Sequence, residues 1–170
     1  MTYQIESAGH DAAPEVIELI HRVFDEYGFI WDPEDEFWDL LSEAHAFPYR
    51  SPIGAIWVMR DDAGVVVGSI AANRIDGPTV ELHRLYLDAH LRGRGLGRRL
   101  VETAVDWARE HGAWRIELWS DTRFEDAHRL YERLGYVKSD TRELDDVNHS
   151  FEFKYERDLS DANSQRSTRH

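Results

Sequence analysis

The sequence predicts one domain of mixed α/β (α+β) class, with helices beside a sheet. Segments with helical hydrophobic spacing alternate with strand-like segments, and a hairpin turn joins two of the strands. Its 170 residues are 42% hydrophobic and 12% aromatic, which is enough for one packed core. We expect residues 1–159 to form this domain. The polar segment 160–170 has no periodicity and is predicted to be a disordered tail.

The N-terminal part is predicted to be helical. Residues 6–9 lead into a first helix, with Asp11 as its N-cap, Pro14 in its first turn and Gly28 at its end. Its apolar side chains recur at helical spacing and are Val16, Ile17, Ile20, Phe24 and Tyr27. A second helix is predicted from Asp32-Pro33, with the apolar residues Phe37, Trp38 and Leu41. The segment 47–52 is predicted to be a loop.

Strands dominate the middle of the chain. Residues 55–60 and 65–72 are predicted to form a hairpin around the turn 61–64, and a third strand covers 79–87. A helix over 100–111 follows, with an ion pair expected between Arg98 and Glu102.

The C-terminal part is predicted to complete the sheet. A strand is expected over 114–119, and a last strand near 150–156. Between them, Thr122 and Glu125 have the spacing of a capping box that opens a short helix, and Gly135 ends that helix.

Charge and composition exclude several functional classes. The 33 acidic against 20 basic residues give a net charge of −13, which argues against a nucleic-acid-binding protein. No apolar run is long enough to span a membrane, and the N-terminus lacks the pattern of a signal peptide, so we expect a cytoplasmic protein. The chain has no cysteine, and its histidines are scattered, so we expect no metal site.

Residues 92–99, Arg-Gly-Arg-Gly-Leu-Gly-Arg-Arg, are the most unusual segment of this acidic chain. A glycine-rich turn from a strand into a helix presents backbone N–H groups and a positive helix end to an anion. Arginines add charge-assisted contacts to phosphate oxygens. The competing interpretation is a solvated surface turn. We favour a site for the phosphates of a small-molecule cofactor.

Two common phosphate-binding motifs do not fit this segment. The Rossmann fingerprint requires a glycine where Arg98 stands, and the P-loop requires a Gly-Lys-Ser or Gly-Lys-Thr sequence. The pattern that remains is R-x-x-G-x-G, formed by Arg92, Gly95 and Gly97. About thirty residues later, residues 127–136 read Ala-His-Arg-Leu-Tyr-Glu-Arg-Leu-Gly-Tyr.

These two motifs, with the strand before the first and the strand before the second, resemble the GNAT superfamily of acetyl-CoA-dependent N-acetyltransferases. The resemblance covers about residues 55–156. It implies a GNAT fold with a mixed, mostly antiparallel sheet flanked by helices. The strand that ends with Leu85-Tyr86-Leu87 is expected to splay away from the strand that ends with Leu118-Trp119, and coenzyme A (CoA) to lie in the resulting wedge.

The resemblance also implies which residues bind acetyl-CoA, the acyl donor. Backbone N–H groups of residues 93–98 would surround the pyrophosphate, and pantetheine would bond to the unpaired strand edges. The candidate cofactor-binding residues are Leu85, Leu87, Arg92, Gly93, Arg94, Gly95, Leu96, Gly97, Arg98, Phe124 and Tyr131. Phe124 stands where many members of the family have asparagine, so a packing contact with pantetheine replaces an amide contact there.

Glu81 and Tyr131 are the candidate catalytic residues. An amine with a pKa of about 10.4 is mostly protonated at pH 7, so a general base is needed, and Glu81 matches a glutamate of several family members. Tyr131 matches the tyrosine that donates a hydrogen bond to the CoA sulfur. Both positions also allow a structural role, as an exposed strand residue and a packed aromatic residue. His83 lies on the same strand face as Glu81, where it relays a proton or is purely structural.

The acceptor is expected to be the primary amine of a small molecule or peptide. The aromatic and acidic segment 27–36 and the loop 47–52 are its candidate binding region, although the aromatic residues there also fit a core. Direct transfer is expected because no cysteine is present to carry an acyl group. A homodimer is compatible with the family. The alternatives are a non-catalytic acyl-CoA-binding sensor or interaction module, and a purely structural domain.

Overall fold

A computed structural model describes residues 2–159, and the predicted tail over 160–170 lies outside the described residues. The fold consists of seven strands and four helices within that part of the chain. The strands are β1 Gln4–Ala8, β2 Gly54–Arg60, β3 Val66–Arg74, β4 Thr79–Leu87, β5 Arg115–Asp121, β6 Val137–Glu143 and β7 Phe151–Asp158. The helices are α1 Ala13–Tyr27, α2 Pro33–Glu36, α3 Leu96–Glu110 and α4 Glu125–Arg133.

All seven strands form one sheet in the order β1-β2-β3-β4-β5-β7-β6. Every neighbouring pair is antiparallel except β4 and β5, which are parallel and joined through α3. The parallel pairing runs from Thr79 opposite Arg115 to Leu82 opposite Leu118 and then stops. Both strands continue beyond it, to Leu87 and to Asp121. The predicted mixed, mostly antiparallel sheet and its splayed strands are therefore present.

Helices cover both faces of the sheet because the central strands are apolar on both sides. In β2, Trp57 and Met59 point to the core under α3, whereas Ile56 and Val58 point to the core under α1. No helix within residues 2–159 is both long enough and apolar enough to cross a membrane.

The predictions for the central elements agree closely with the structure. The strand 79–87 has the predicted bounds, the 55–60 and 65–72 hairpin strands differ by one or two residues, and α3 starts four residues earlier than predicted. The expected Arg98–Glu102 ion pair is present at 2.8 Å. Gly28 ends α1 in a left-handed conformation, as predicted.

The two strands that the sequence did not predict, β1 and β6, are the two edges of the sheet. Every residue of β6 is exposed, and most residues of β1 are too. A strand that buries neither face has no reason to alternate apolar and polar residues, so it leaves no pattern to read.

Three predicted helix ends were wrong. A short 3₁₀ turn precedes α1, so Ala12 and not Asp11 is its N-cap. The second helix starts at Pro33 after the N-cap Asp32, as predicted, but it has only four residues, so Phe37, Trp38 and Leu41 lie beyond it. The carbonyl of Glu36 accepts a hydrogen bond from the Arg84 side chain, and Trp38 and Leu41 are exposed.

The capping box before α4 was the third error. Phe124 is the N-cap of α4 and makes no side-chain cap, while Thr122 donates its N–H to Phe151 O. The carboxylate of Asp121 instead accepts from the N–H of Arg123, at 2.9 Å, and thereby closes this turn.

Candidate active site

The turn between β4 and α3 leaves backbone N–H groups available to a ligand. Gly93 and Gly95 both have φ of +77°, a conformation that glycine adopts without strain. The hydrogen bond from Arg99 N to Gly95 O, 3.2 Å, is the first of the helix. The N–H groups of residues 96–98 precede it and have no acceptor within α3. The helix start thus presents backbone N–H donors of the kind that bind anions.

The arginines of this turn are not equivalent. Arg92 forms an ion pair with Glu26 of α1 and donates to Leu87 O at 3.0 Å, so it fixes the turn to the rest of the fold. Arg98 pairs with Glu102 on the surface of α3. Arg94 is exposed and forms no ion pair within residues 2–159.

A cleft of about 690 Å³ extends from this turn between the splayed strands and α4. Most of the predicted cofactor-binding residues line it, namely Leu85, Leu87, Arg92, Gly93, Gly95, Gly97, Arg98, Phe124 and Tyr131. Arg94 does not line it, and the side chain of Leu96 is buried in the core, so only its N–H is a candidate contact. Gly97 lies against α4, where a Cβ would come within 3.2 Å of Leu130 Cδ2.

Two further arginines line this cleft that sequence reasoning did not single out. Arg129 and Arg133 project from α4, one helical turn apart. Arg129 pairs with Asp126 at 2.6 Å, and Arg133 forms no ion pair within residues 2–159. Their i,i+4 spacing was visible in the sequence, but it showed nothing about which face of α4 would border the cleft.

A second cavity of about 540 Å³ lies on the other side of the wedge, next to α2 and the loops before β2 and β7. The two cavities share a border formed by Leu85, Tyr86, Ser120, Phe124 and Tyr131. A molecule in one cavity therefore faces a molecule in the other across the gap between β4 and β5.

Tyr131 occupies this border. The residue is only 5% exposed and packs against Tyr136 and Tyr155, with ring centroids 5.8 and 5.5 Å away. No group within residues 2–159 forms a hydrogen bond with its hydroxyl. Burial, with smaller contributions from neighbouring tyrosines, raises the pKa of Tyr131, so the phenol stays protonated at neutral pH. It is a donor without an acceptor, at the junction of two cavities.

Glu81 and His83 lie on the wall of the second cavity. His83 Nε2 is 2.9 Å from Glu81 Oε1 and 2.6 Å from Asn73 Oδ1. Burial alone would raise the pKa of Glu81, but the hydrogen bond and charge of His83 outweigh it, and the pKa is lowered. Glu81 is therefore an ionised carboxylate held by its histidine neighbour.

Phe124 packs among aromatic rings at the border of the two cavities. Its ring centroid is 4.9 Å from that of Tyr27, 5.7 Å from Phe29 and 6.2 Å from Tyr86. An apolar wall therefore replaces the amide expected there in many family members.

Arg84 sits at a β-bulge where β4 turns away from β5. The register with β3 shifts between Ser69 and Ala71, and Arg84 has φ of +54°, which is unusual for a residue with a side chain. The backbone carbonyl of Arg84 accepts a hydrogen bond from Ser69 Oγ at 2.7 Å. Its guanidinium makes two hydrogen bonds to Asp39, at 2.6 and 3.1 Å. The bulge is thus held from both its backbone and its side chain.

Asp39 is the buried ion-pair partner of Arg84. It is 3% exposed and also accepts a hydrogen bond from the hydroxyl of Tyr49 at 2.5 Å. Burial alone would raise the pKa of Asp39, but the hydrogen bond and charge of Arg84, aided by Tyr49, lower it below its usual value. No pattern in the sequence indicates this network, because its members are 10 to 45 residues apart.

Comparison with known proteins identifies the family. The sequence profile of the Acetyltransferase (GNAT) family matches residues 16–136, well over half of the chain. The chain belongs to the GNAT acetyltransferase family. Members of this family use acetyl-CoA.

Individual relatives agree with this assignment. The chain is 30% identical over 129 residues to the uncharacterized N-acetyltransferase YjgM of Escherichia coli, covering 75% of this chain and 77% of that protein. It is 35% identical over 89 residues to N-acetylaspartate synthetase of Danio rerio, covering 52% of this chain and only 32% of that protein. This second match therefore concerns one part of a longer protein.

The fold agrees as well. The structure of the acetyltransferase yncA from Salmonella typhimurium, solved with its cofactor acetyl-CoA, superimposes with a TM-score of 0.70. The match covers 94% of this chain and 95% of that one at 20% identity. This GNAT domain therefore has the family fold, with the cleft and the second cavity at the splayed strands.

The Asp39–Arg84 pair yields a prediction on stability. Asp39→Asn should lower the free energy of unfolding by about 3 kcal/mol, because it leaves the charge of Arg84 buried without a partner. Since the pKa of Asp39 is lowered in the folded state, its contribution is present above the ordinary value of 3.8 and lost as pH falls below it. In urea unfolding, the free energy of unfolding should therefore fall less for Asp39→Asn than for the wild type as the pH is lowered. Glu102→Gln, which removes the exposed pair with Arg98, should cost under about 1 kcal/mol; equal losses would contradict the prediction.

Proposed function

We propose that this GNAT domain transfers the acetyl group of acetyl-CoA directly to the primary amine of a small molecule or peptide. The observation that carries the proposal is the hydroxyl of the buried residue Tyr131, which has no hydrogen-bond partner within residues 2–159 and opens at the border of two cavities. The larger cavity, which we call the cofactor cleft, begins at the glycine-rich start of α3 and suits a phosphorylated cofactor. The second cavity, which we call the acceptor cavity, is open to an acceptor.

Acetyl-CoA would lie in the larger cleft. Its pyrophosphate would accept hydrogen bonds from the N–H groups of residues 93–98, where the positive end of the α3 dipole adds to the attraction. Arg129 and Arg133 add positive charge along α4. The pantetheine amides would bond to the facing edges of β4 and β5 beyond Leu82 and Leu118, where parallel pairing stops.

In the transfer step, the neutral amine attacks the thioester carbonyl, a C–N bond forms, and the C–S bond breaks. Negative charge develops first on the carbonyl oxygen, next to the backbone N–H groups near Leu87, and then on sulfur. Tyr131 would donate its hydrogen bond to that sulfur. Its raised pKa makes it a poor proton donor overall but keeps the hydrogen bond in place across the neutral pH range. The nitrogen, which carries an extra proton after the attack, would lose it to water on the Glu81 side, and the CoA thiolate would take up a proton from solvent as it leaves.

Glu81 would act as the base that makes the amine neutral. It borders the acceptor cavity, and its lowered pKa keeps it ionised at neutral pH. The same lowered pKa makes it a weak base for direct proton removal, so a water molecule between Glu81 and the amine fits its role better. The proton can pass to the surface through His83, which is 2.9 Å away.

The direct test is an assay with purified protein, acetyl-CoA and a panel of primary amines, with release of free CoA thiol as the readout. We expect thiol release that depends on the amine, and one acetyl group on the amine for each thiol released. CoA binding by calorimetry without turnover on any amine would favour the non-catalytic acyl-CoA-binding module. Absence of CoA binding would contradict both.

Tyr131→Phe should lower kcat about 100-fold, because the developing thiolate loses its hydrogen-bond donor. The affinity for CoA, measured by calorimetry, should change less than about twofold, since ring packing is retained. Tyr136→Phe is the matched control. It removes another buried tyrosine hydroxyl, one ring away, which lines neither cavity. Equal kcat values for the two variants would contradict the proposed role of Tyr131.

Glu81→Gln should lower kcat/KM about 100-fold at pH 7, because the carboxylate that accepts the proton is lost. The loss should shrink as pH rises toward the pKa of the amine, about 10.4, where free amine needs no base. Rates are compared from pH 7 to 10. Glu117→Gln, at the paired position of β5 and outside both cavities, should match the wild type. A loss that does not change with pH would speak against Glu81 as the base.

A further inference from the structure

The acceptor cavity has an unusual excess of carboxylates. Eight acidic residues line it, namely Asp35, Glu36, Asp39, Glu81, Asp121, Asp145, Asp146 and Glu152. Two arginines also line it, Arg84 and Arg142. The reaction requires at most one of these carboxylates, so the others call for a separate explanation.

Half of these carboxylates are neutralised within the protein. The pairs are Asp39 with Arg84, Asp121 with Arg123, Glu152 with Arg142, and Glu81 with His83. Both arginines of the lining are therefore already engaged. The remaining four, Asp35, Glu36, Asp145 and Asp146, form no ion pair within residues 2–159.

Glu36 and Asp146 are the most informative of the four. They come from α2 and from the loop before β7, far apart in the sequence, and both are partly buried. Burial raises the pKa of Glu36, and the negative charge of Asp146 raises it further. The two carboxylates thus repel each other at the edge of the cavity that both line. The guanidinium groups of Arg84 and Arg123 offset part of this repulsion, and a further cation between the carboxylates would reduce it.

An aromatic side chain stands beside these carboxylates. Trp38 lines the same cavity, is 69% exposed, and has no cation over its ring within residues 2–159. A large exposed indole next to carboxylates is suited to an alkylammonium group, which gains from both charge and the ring face. A metal ion is disfavoured, because residues 2–159 contain no group of three acidic, histidine or cysteine side chains placed to hold one.

The chemistry of the transfer then restricts the acceptor. The nitrogen that attacks the thioester must be neutral, so it cannot itself be the cation that Glu36 and Asp146 attract. Tyr131 marks where the reacting end of the acceptor must lie, independently of the acidic residues, because its buried hydroxyl opens into this cavity without a partner. A positive charge at the acidic end must therefore belong to a second group of the same molecule.

We infer that the acceptor is an alkyl diamine or polyamine, which places one amine at Tyr131 and holds a second, protonated amine between Glu36 and Asp146 beside Trp38. This inference rests on the proposed acetyl transfer and adds the substrate class. It also gives the acidic surface of this protein a local function, since unpaired carboxylates attract a cationic acceptor to the cavity.

The experiment compares 1,4-diaminobutane with butylamine, which has the same chain length and one amine fewer. At low ionic strength we expect the wild type to prefer the diamine at least about tenfold in kcat/KM, and the preference to fall with added salt. The double variant Glu36→Gln/Asp146→Asn should reduce the preference to about twofold or less, mainly because the KM for the diamine rises more than the KM for butylamine. The control Glu18→Gln/Glu110→Gln changes the net charge equally on exposed helix positions outside the cavity and should keep the preference.

Each outcome bears on the inference separately from the proposed function. Equal use of both amines by the wild type, or a preference that the double variant retains, would overturn the inference and leave acetyl transfer standing. If no amine is acetylated, calorimetry with CoA and each amine decides. Diamine binding that the double variant loses would support the cation site although the proposed transfer fails. Equal binding of diamine and butylamine would overturn the inference.

Discussion

Parallel pairing between β4 and β5 stops at Leu82 and Leu118, and both strands continue with unpaired facing edges. In an ordinary sheet, N–H and C=O groups without partners in the middle of the sheet would be costly. Here the gap separates two cavities and brings Tyr131 to their border. The backbone groups that the sheet leaves unpaired are those that a linear amide such as pantetheine can satisfy, so the site arises from an interruption of the sheet.

The interruption is held open from the acceptor side. Arg84 adopts a left-handed conformation at the bulge, and its side chain reaches Asp39 and the carbonyl of Glu36. Glu36 is the last residue of α2 and also lines the acceptor cavity. One buried ion pair therefore connects the geometry of the wedge with the segment that we expect to contact the acceptor.

The two cavities differ in the sign of the charge that lines them. The cofactor cleft combines the N–H groups at the start of α3 with arginines of the turn and of α4. The acceptor cavity has four carboxylates that form no ion pair within residues 2–159. The net charge of −13 does not reveal this contrast, because it sums the acidic and basic residues of the whole chain. An anionic donor and a cationic acceptor would each be attracted to its own side of the gap.

The sequence by itself determined the elements whose pattern is set by local chemistry. The β2–β3 hairpin, β4, α3 and the glycine-rich turn were predictable because buried strands and helices must show hydrophobic periodicity and a left-handed turn favours glycine. The resemblance to the GNAT family predicted the wedge between the strands and a role for Tyr131. Both edge strands left no signal, since an exposed strand buries no face that would impose one.

Only the tertiary structure decided how these parts meet. The bulge at Arg84, the arginines of α4 at the cleft and the presence of Glu36 and Asp146 in the lining of one cavity all depend on how residues distant in the chain pack together. No local pattern encodes such contacts, because a side chain's charge and shape are fixed by its identity but its partner is fixed by the fold. The sequence thus determined that backbone donors and arginines meet at the start of a helix, and the packing of the chain decided which residues face them across the cleft.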